Sequence, residues 1–322
     1  MHKRHATTLN GRSNTGFTIV ELLIVIVVIG ILAAVVTIAY SGVQKKARTA
    51  SFTASLRNAA SKVESEKTDT GYPATMTYPN SGSTTFSYTQ IGSGAAYCLE
   101  ATSASTPGMT HFISQQQKAR PGPCPLAYWS LGGTAAGDDS PYRRDGTTTA
   151  SVGATNDRFG NANQATVYNA SGRRTVVATP VGQAGVVTAS VWYKRDEAVA
   201  STSWRTILGH ASANVHHLIV NNTSRNIGIF DGSWRDFGYL VPDDGQWHHY
   251  AVIYNVPSST ATLYVDGAQN ATITTTLNLA TNPIGSIGEW GGGSYWAGPV
   301  DDVSIYGRAL TASEIQYLAS DK

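Results

Sequence analysis

The sequence predicts an α+β protein with one long N-terminal helix, a small β head and a large all-β sandwich. Three observations carry that prediction. An uncharged run from Leu22 to Ala39 leads into an amphipathic stretch that stops at Gly71 and Pro73. Residues 72–125 are rich in Ser, Thr, Gly and Tyr and hold both cysteines. All seven Trp lie beyond residue 125, among short alternating runs separated by turn residues.

The chain has 322 residues, enough for two or three domains. Only 14% are charged, and 32 are Gly, which excludes a coiled coil, a disordered chain or a nucleic-acid binder. The 23 basic and 21 acidic residues give a formal charge of +2, unevenly spread. Residues 1–16 carry +3, residues 17–125 another +3, and residues 126–322 carry −4.

The 18 residues from Leu22 to Ala39, at about 1.5 Å each, span most of a roughly 30 Å hydrocarbon core. Lys3, Arg4 and Arg12 precede them, so the N-terminus stays cytoplasmic and the rest crosses. A removable signal peptide and a retained anchor both fit that much. The local sequence Gly16-Phe17-Thr18-Ile19-Val20-Glu21-Leu22-Leu23 separates them. It places one carboxylate at the start of an apolar helix, where burying the ion costs several kcal/mol. This stretch closely resembles the prepilin leader of type IV pilins and pseudopilins. The resemblance implies a leader of residues 1–16, cleavage by prepilin peptidase after Gly16, and methylation of the new N-terminal Phe17. It implies too that Glu21 offsets the Phe17 amine of a neighbouring pilin subunit in a helical fibre. Such a buried pair contributes register more than stability.

Beyond Tyr40, Val43, Ala47, Ala50, Leu56, Ala60 and Val63 recur at helical spacing among charged residues. The pilin helix is thus expected over residues 17–71, with Gly30 and Gly42 as weak points for bending. In the head, 72–125, strands are expected at Thr85–Tyr88, Ala95–Leu99 and His111–Ser114. A translocated chain meets an oxidising compartment, so Cys98 and Cys124 are expected to pair. The closed loop of about 27 residues is worth on the order of 3 kcal/mol. Pro121, Pro123 and Pro125 read as a stiff linker.

Residues 126–322 show strand patterns at Val187–Lys194, Val215–Val220, Asn226–Phe230, Trp247–Tyr254, Ala261–Val265 and Val300–Tyr306. Thr311-Ala312-Ser313-Glu314 is a capping box and predicts a short final helix. The segments Ala189-Ser190-Val191-Trp192, Trp247-His248-His249-Tyr250-Ala251-Val252 and Leu263-Tyr264-Val265-Asp266-Gly267 resemble laminin-G-like, concanavalin-like jelly-roll domains. So does the run from Val300-Asp301-Asp302 to Ala309-Leu310-Thr311. That resemblance implies a domain that binds glycans, proteins or nothing known, sometimes with Ca²⁺.

Four groups of residues are candidates for a site. Trp290, Tyr295 and Trp296 lie in a Gly-rich loop suited to stacking on sugar rings, whereas Trp192 and Trp247 read as core. The alternative for the loop Trp is sealing the sandwich edge. Asp138, Asp139 and Asp301 could supply oxygens to Ca²⁺, although Asp301 bonded to turn amides is the plainer expectation. The neighbours His216-His217 and His248-His249 cannot chelate as pairs, because adjacent strand residues face opposite sides. No catalytic constellation is legible, so an enzyme is not expected. The expected role is a minor or tip type IV pilin that displays an adhesive domain for an extracellular glycan or protein. It is stored in the cytoplasmic membrane with its C-terminus outside, then carried to the cell surface or pilus. The alternatives are a secretion-system pseudopilin and a pilin-anchored glycan hydrolase.

Overall fold

The computed structural model describes residues 19–78, 82–132, 136–149, 152–168, 172–195, 203–290 and 294–321. Gly16 and Phe17 lie outside the described residues. Met1–Ser51 and Phe52–Lys322 form two compact units. Among the described residues the helix α1 runs Ile19–Ser65, ending earlier than the expected residue 71, with Glu21 in its first turn. It continues through Gly30 as one α-helix.

In the first unit the apolar side chains of α1 are exposed, Leu22 to 60% and Val28 to 48%. Among the described residues no helix is long and apolar enough to cross a membrane. The side chains at 34, 35 and 37–39 of the run Leu22–Ala39 lie outside the described ones, so the expected crossing helix is not shown here. Val43 is also exposed, so the buried stripe begins later than the periodicity suggested.

In the second unit that stripe is Phe52, Leu56, Ala60 and Val63, one per turn. It packs on Tyr72 of the following loop and on Tyr97, Leu99, Ala101 and Ile113 of a four-stranded antiparallel sheet. The strands are Thr84–Ile91, Ala96–Ser103, Thr110–Ser114 and Arg120–Pro121, in that order. Gly71 ends the approach to this sheet with φ +114°, and a Cβ there would lie 2.4 Å from the Gly94 carbonyl oxygen. Cys98 and Cys124 form the expected disulfide.

The proline segment is not a free linker. Pro121 pairs with His111 in the sheet. The Gly122 amide donates to Thr110, the Cys124 amide to the Glu100 carboxylate, and the Leu126 amide to Ile305 in the sandwich. The short strand Ala127–Trp129 then pairs directly on Gly298–Tyr306. Side chains close the same seam. Lys118 and Arg120 of the head hold the two oxygens of Asp139 at 2.8 and 2.9 Å. Ser114 donates to the Asp139 carbonyl, and Gln115 to that of Pro141. His111 bonds Tyr317 at 2.9 Å through Nε2 and Thr53 of α1 at 3.4 Å through Nδ1.

Two sheets make the sandwich. The first orders its strands Ala268–Thr274, Thr260–Val265, Trp247–Asn255, Val186–Lys194, Gly298–Tyr306, Ala165–Tyr168 and Gly153–Thr155. The second orders Trp234–Leu240, Asn226–Phe230, His216–Val220, Arg205–Gly209, Ile284–Ile287, Thr175–Val181 and Gly146–Thr148. Alternate side chains such as Val187, Val191, Leu218, Ile227, Ile229, Leu263 and Val303 meet in the core. The helix α2, Ala312–Ala319, begins with the capping box read from the sequence, Thr311 accepting from the Glu314 amide and Glu314 from the Thr311 amide. Its Ile315 and Leu318 pack with Ala251, Tyr264 and Tyr306.

The seam histidine sets an acid limit. Burial holds the His111 imidazole down at about 4, below the usual 6.5. The unfolded chain therefore takes up this proton first. The contribution is complete above about pH 6.5 and is lost as pH falls towards 4, on the order of 3 kcal/mol at most. Burial lowers His216 and His217 to about 4 as well, with the same sign. His248, raised by its hydrogen bond to Asp266, contributes oppositely, being lost as pH rises. Thermal melting of the full chain should fall between pH 6.5 and 4. His111→Gln, which keeps a donor for Tyr317, should flatten part of that fall.

Candidate ligand-binding cleft

The outer face of the second sheet, turned away from the core, carries a cluster of aromatic rings. Strand alternation sends Leu218 inward, while Ile219 faces the cluster. Gly228 leaves room for Trp234, because a Cβ there would lie 2.3 Å from the indole. Trp204, just before its strand, meets Trp234 edge-on at 5.1 Å and Phe230 at 6.4 Å. His216 lies edge-on to Phe230 at 5.9 Å and to Trp290 at 5.3 Å.

These rings enclose a cleft of about 250 Å³. Ile219 and His216 form its buried floor, Trp204, Phe230 and Trp290 its walls, and Asn214 and Ser294 its remaining polar lining. Among the described residues no charged side chain lines it. His216 is fixed by two bonds, Nδ1 to the Thr206 hydroxyl at 2.8 Å and Nε2 to Asn214 Oδ1 at 2.9 Å. With Nε2 donating to the amide oxygen, a neutral ring has Nδ1 accept from the Thr206 hydroxyl. Burial, which lowers its pKa to about 4, keeps it so. The amide nitrogen of exposed Asn214 is left facing away from His216.

The loop residues singled out from the sequence divide. Trp290 lines the cleft. Tyr295 is partly buried under the Arg205 guanidinium, 4.7 Å from its ring, and does not line it. Trp296 is a correction to the stacking reading. It is 1% exposed, in the core, edge-on to Tyr193 at 4.8 Å. The cause is the short pair Glu289–Trp290 with Ser294–Tyr295, after which the Trp296 amide returns to Gly288. That return carries the indole inward. Trp247, read as core, is only partly buried. Trp192 is buried beneath the Arg158 guanidinium.

The Ca²⁺ reading of Asp138, Asp139 and Asp301 does not hold as a set. Among the described residues no three His, Cys, Asp or Glu come together to hold a metal ion. Asp138 accepts from the amides of Tyr128, Ser140 and Arg144 and from the Ser140 hydroxyl. Asp139 is held by Lys118 and Arg120. Asp301 bonds Arg158 at 2.7 Å rather than turn amides, and Arg158 also holds Asp302 and Asp321. Burial, then the neighbouring Asp302, raises the Asp301 carboxyl. The other His are used separately: His217 bonds the Asn282 carbonyl, His248 Asp266 and His249 Ser190.

Sequence reasoning missed Trp204, Asn214, Phe230 and His216 as cleft residues. Their one legible signal was the density of Trp and His around the strands 216–220 and 226–230.

Comparison with known families places this geometry. Residues 159–316 match the concanavalin A-like lectin/glucanases superfamily as a laminin-G-type domain, and residues 11–37 match the prokaryotic N-terminal methylation motif. The chain thus carries a prepilin-type N-terminal methylation motif and a C-terminal laminin-G-like, concanavalin-like domain. Among solved structures, it resembles domain 4 of AbnA, a GH43 extracellular arabinanase from Geobacillus stearothermophilus, in complex with arabinotriose. That match has 20% identity and a TM-score of 0.48, over 61% of this chain and 98% of that one. The botulinum neurotoxin serotype D binding domain matches at 13% identity and a TM-score of 0.46, over 62% of this chain and 52% of that one. A Trypanosoma rangeli sialidase matches at 18% and 0.43, over 62% and 33%. The chain thus spans about half the length of the neurotoxin domain and a third of the sialidase. No curated protein matches it.

The two Trp make a direct test of core against cleft. Trp296→Ala should lose about 3–5 kcal/mol in chemical denaturation, as for a large core ring. Trp290→Ala should stay within about 1 kcal/mol of wild type.

Proposed function

We propose that this chain is a minor or tip subunit of a type IV pilus whose sandwich binds a saccharide at the cell surface. The observation that carries the binding half is the aromatic cleft on the outer face of the second sheet. Aromatic walls with a few placed polar groups suit a ligand that has both apolar faces and hydroxyls. The concanavalin A-like match supports the same class of module.

The methylation motif supports the assembly half. Prepilin peptidase cuts after Gly16 and frees Phe17. The run Leu22–Ala39 stores the subunit in the cytoplasmic membrane, C-terminus outside. Residues 17–71 then enter the fibre, 72–125 form the head and 126–322 the displayed sandwich. Glu21 pairs with the Phe17 amine of the adjacent subunit and sets the stagger. A sandwich of that size on every subunit would crowd a packed fibre, which favours few copies.

Three outcomes are expected. On a glycan array the full chain binds neutral saccharides, and Trp204→Ala or Trp290→Ala weakens binding at least tenfold with an unchanged melting curve. Retained binding in both variants would remove the cleft as the site. Glu21→Ala drops out of purified fibres while still reaching the membrane. Immunogold against the sandwich marks fibre tips, and label along the whole shaft would contradict tip placement.

A further inference from the structure

The rings that line the cleft stand at steep angles to one another: 66° for the walls Trp204 and Phe230, and 68° for His216 of the floor and the wall Trp290. They leave a pit with an apolar floor at Ile219, 2% exposed, rather than a flat platform for a sugar ring. Its volume, about 250 Å³, is below the roughly 300–1,000 Å³ of pockets that enclose a whole drug-sized ligand. It has room for a single substituted sugar ring, seated with its substituent against the floor.

Its polar lining is equally selective. The bond to His216 occupies the Asn214 oxygen, so the amide N–H groups of this lining residue are the donors it keeps for a ligand. The Ser294 hydroxyl can accept or donate. With no charged group among the described lining and His216 neutral, a carboxylated or sulfated sugar gains no countercharge.

Resting on the reading of this cleft as a saccharide site, we propose that it recognises the acetamido group of an N-acetylhexosamine. The methyl group fills the floor against Ile219 between Trp204 and Trp290. The acetamido carbonyl accepts from Asn214, and its N–H donates to Ser294. A plain hexose, with a hydroxyl in that place, leaves the apolar floor wet and the amide donors unmatched.

The test uses the full chain in detergent and three probes with matched β-1,4 skeletons: N-acetylglucosamine tetramer, its deacetylated form and cellotetraose. A glycan ending in N-acetylgalactosamine extends the set to the second natural source of the group. Titration calorimetry should show one or both acetylated probes binding at least tenfold tighter than cellotetraose and the deacetylated tetramer. Asn214→Ala should bring the acetylated probes down to the cellotetraose level. Asn214→Asp keeps the acceptor for His216 but loses the donors, and should do the same. Equal affinity for acetylated and plain tetramers overturns the acetamido assignment and leaves the saccharide reading standing. Silence of every neutral glycan overturns both.

Discussion

The second unit depends on one carboxylate. Asp139 is buried between the head and the sandwich, and its two oxygens are held by Lys118 and Arg120. An ion pair withdrawn from water contributes little net stability, yet removing one partner leaves a costly uncompensated charge. The pair therefore acts as a register device: the strand that carries Arg120 can close on the sandwich only where Asp139 waits. Around it, the His111–Tyr317 bond crosses the same seam, while the Cys98–Cys124 disulfide and the Glu100 bond to the Cys124 amide fix the chain's exit from the head. Head and sandwich consequently form one body, and the C-terminal helix is tied to Thr53 of α1 through His111.

The same logic explains why acidic pairs misled the metal reading. A buried Asp needs a cation or several donors, and three carboxylates in a calcium-rich class of fold invite the ion. Here the chain supplies its own compensation. Arg158, 3% exposed at its side chain, gathers Asp301, Asp302 and Asp321 and ties the last residues of the chain to the central strand Gly298–Tyr306. Asp138 is satisfied by backbone amides alone apart from Ser140. Such compensation is invisible in sequence because Arg158 and Asp301 are 143 positions apart.

What could be read locally was read well. The capping box at Thr311 and the strands Val186–Lys194 and Trp247–Asn255 follow from patterns within ten residues. What required register could not be read. Trp290 and Trp296 share one Gly-rich segment, and only the pairing of Glu289 with Tyr295 decides that one faces out and the other in. The cleft is similarly non-local: Trp204, His216, Phe230 and Trp290 come from four separate segments, brought together because Gly228 and Gly209 leave space on one face. The apolar stripe of α1 was legible from Leu56 to Val63, but its start was not. Periodicity alone does not say where the opposing sheet ends.

A pit that holds one small group bears on how such a protein could adhere. A contact of this size rarely exceeds millimolar to micromolar affinity, about 4–8 kcal/mol. One subunit at a fibre tip would then release quickly. On the proposed tip placement, retention would come from many tips meeting a densely repeated ligand, since linked weak sites gain by effective concentration without any new contact. A repeating polysaccharide meets that need and a sparse protein receptor does not. Head and sandwich being one body adds to this effect, because a cleft on a rigid mount loses less orientational freedom at each rebinding than one on a flexible tether. Seam and cleft thus serve one end. The clamp at Asp139 brings no affinity of its own, but it joins the head to the sandwich that carries Trp204 and Trp290.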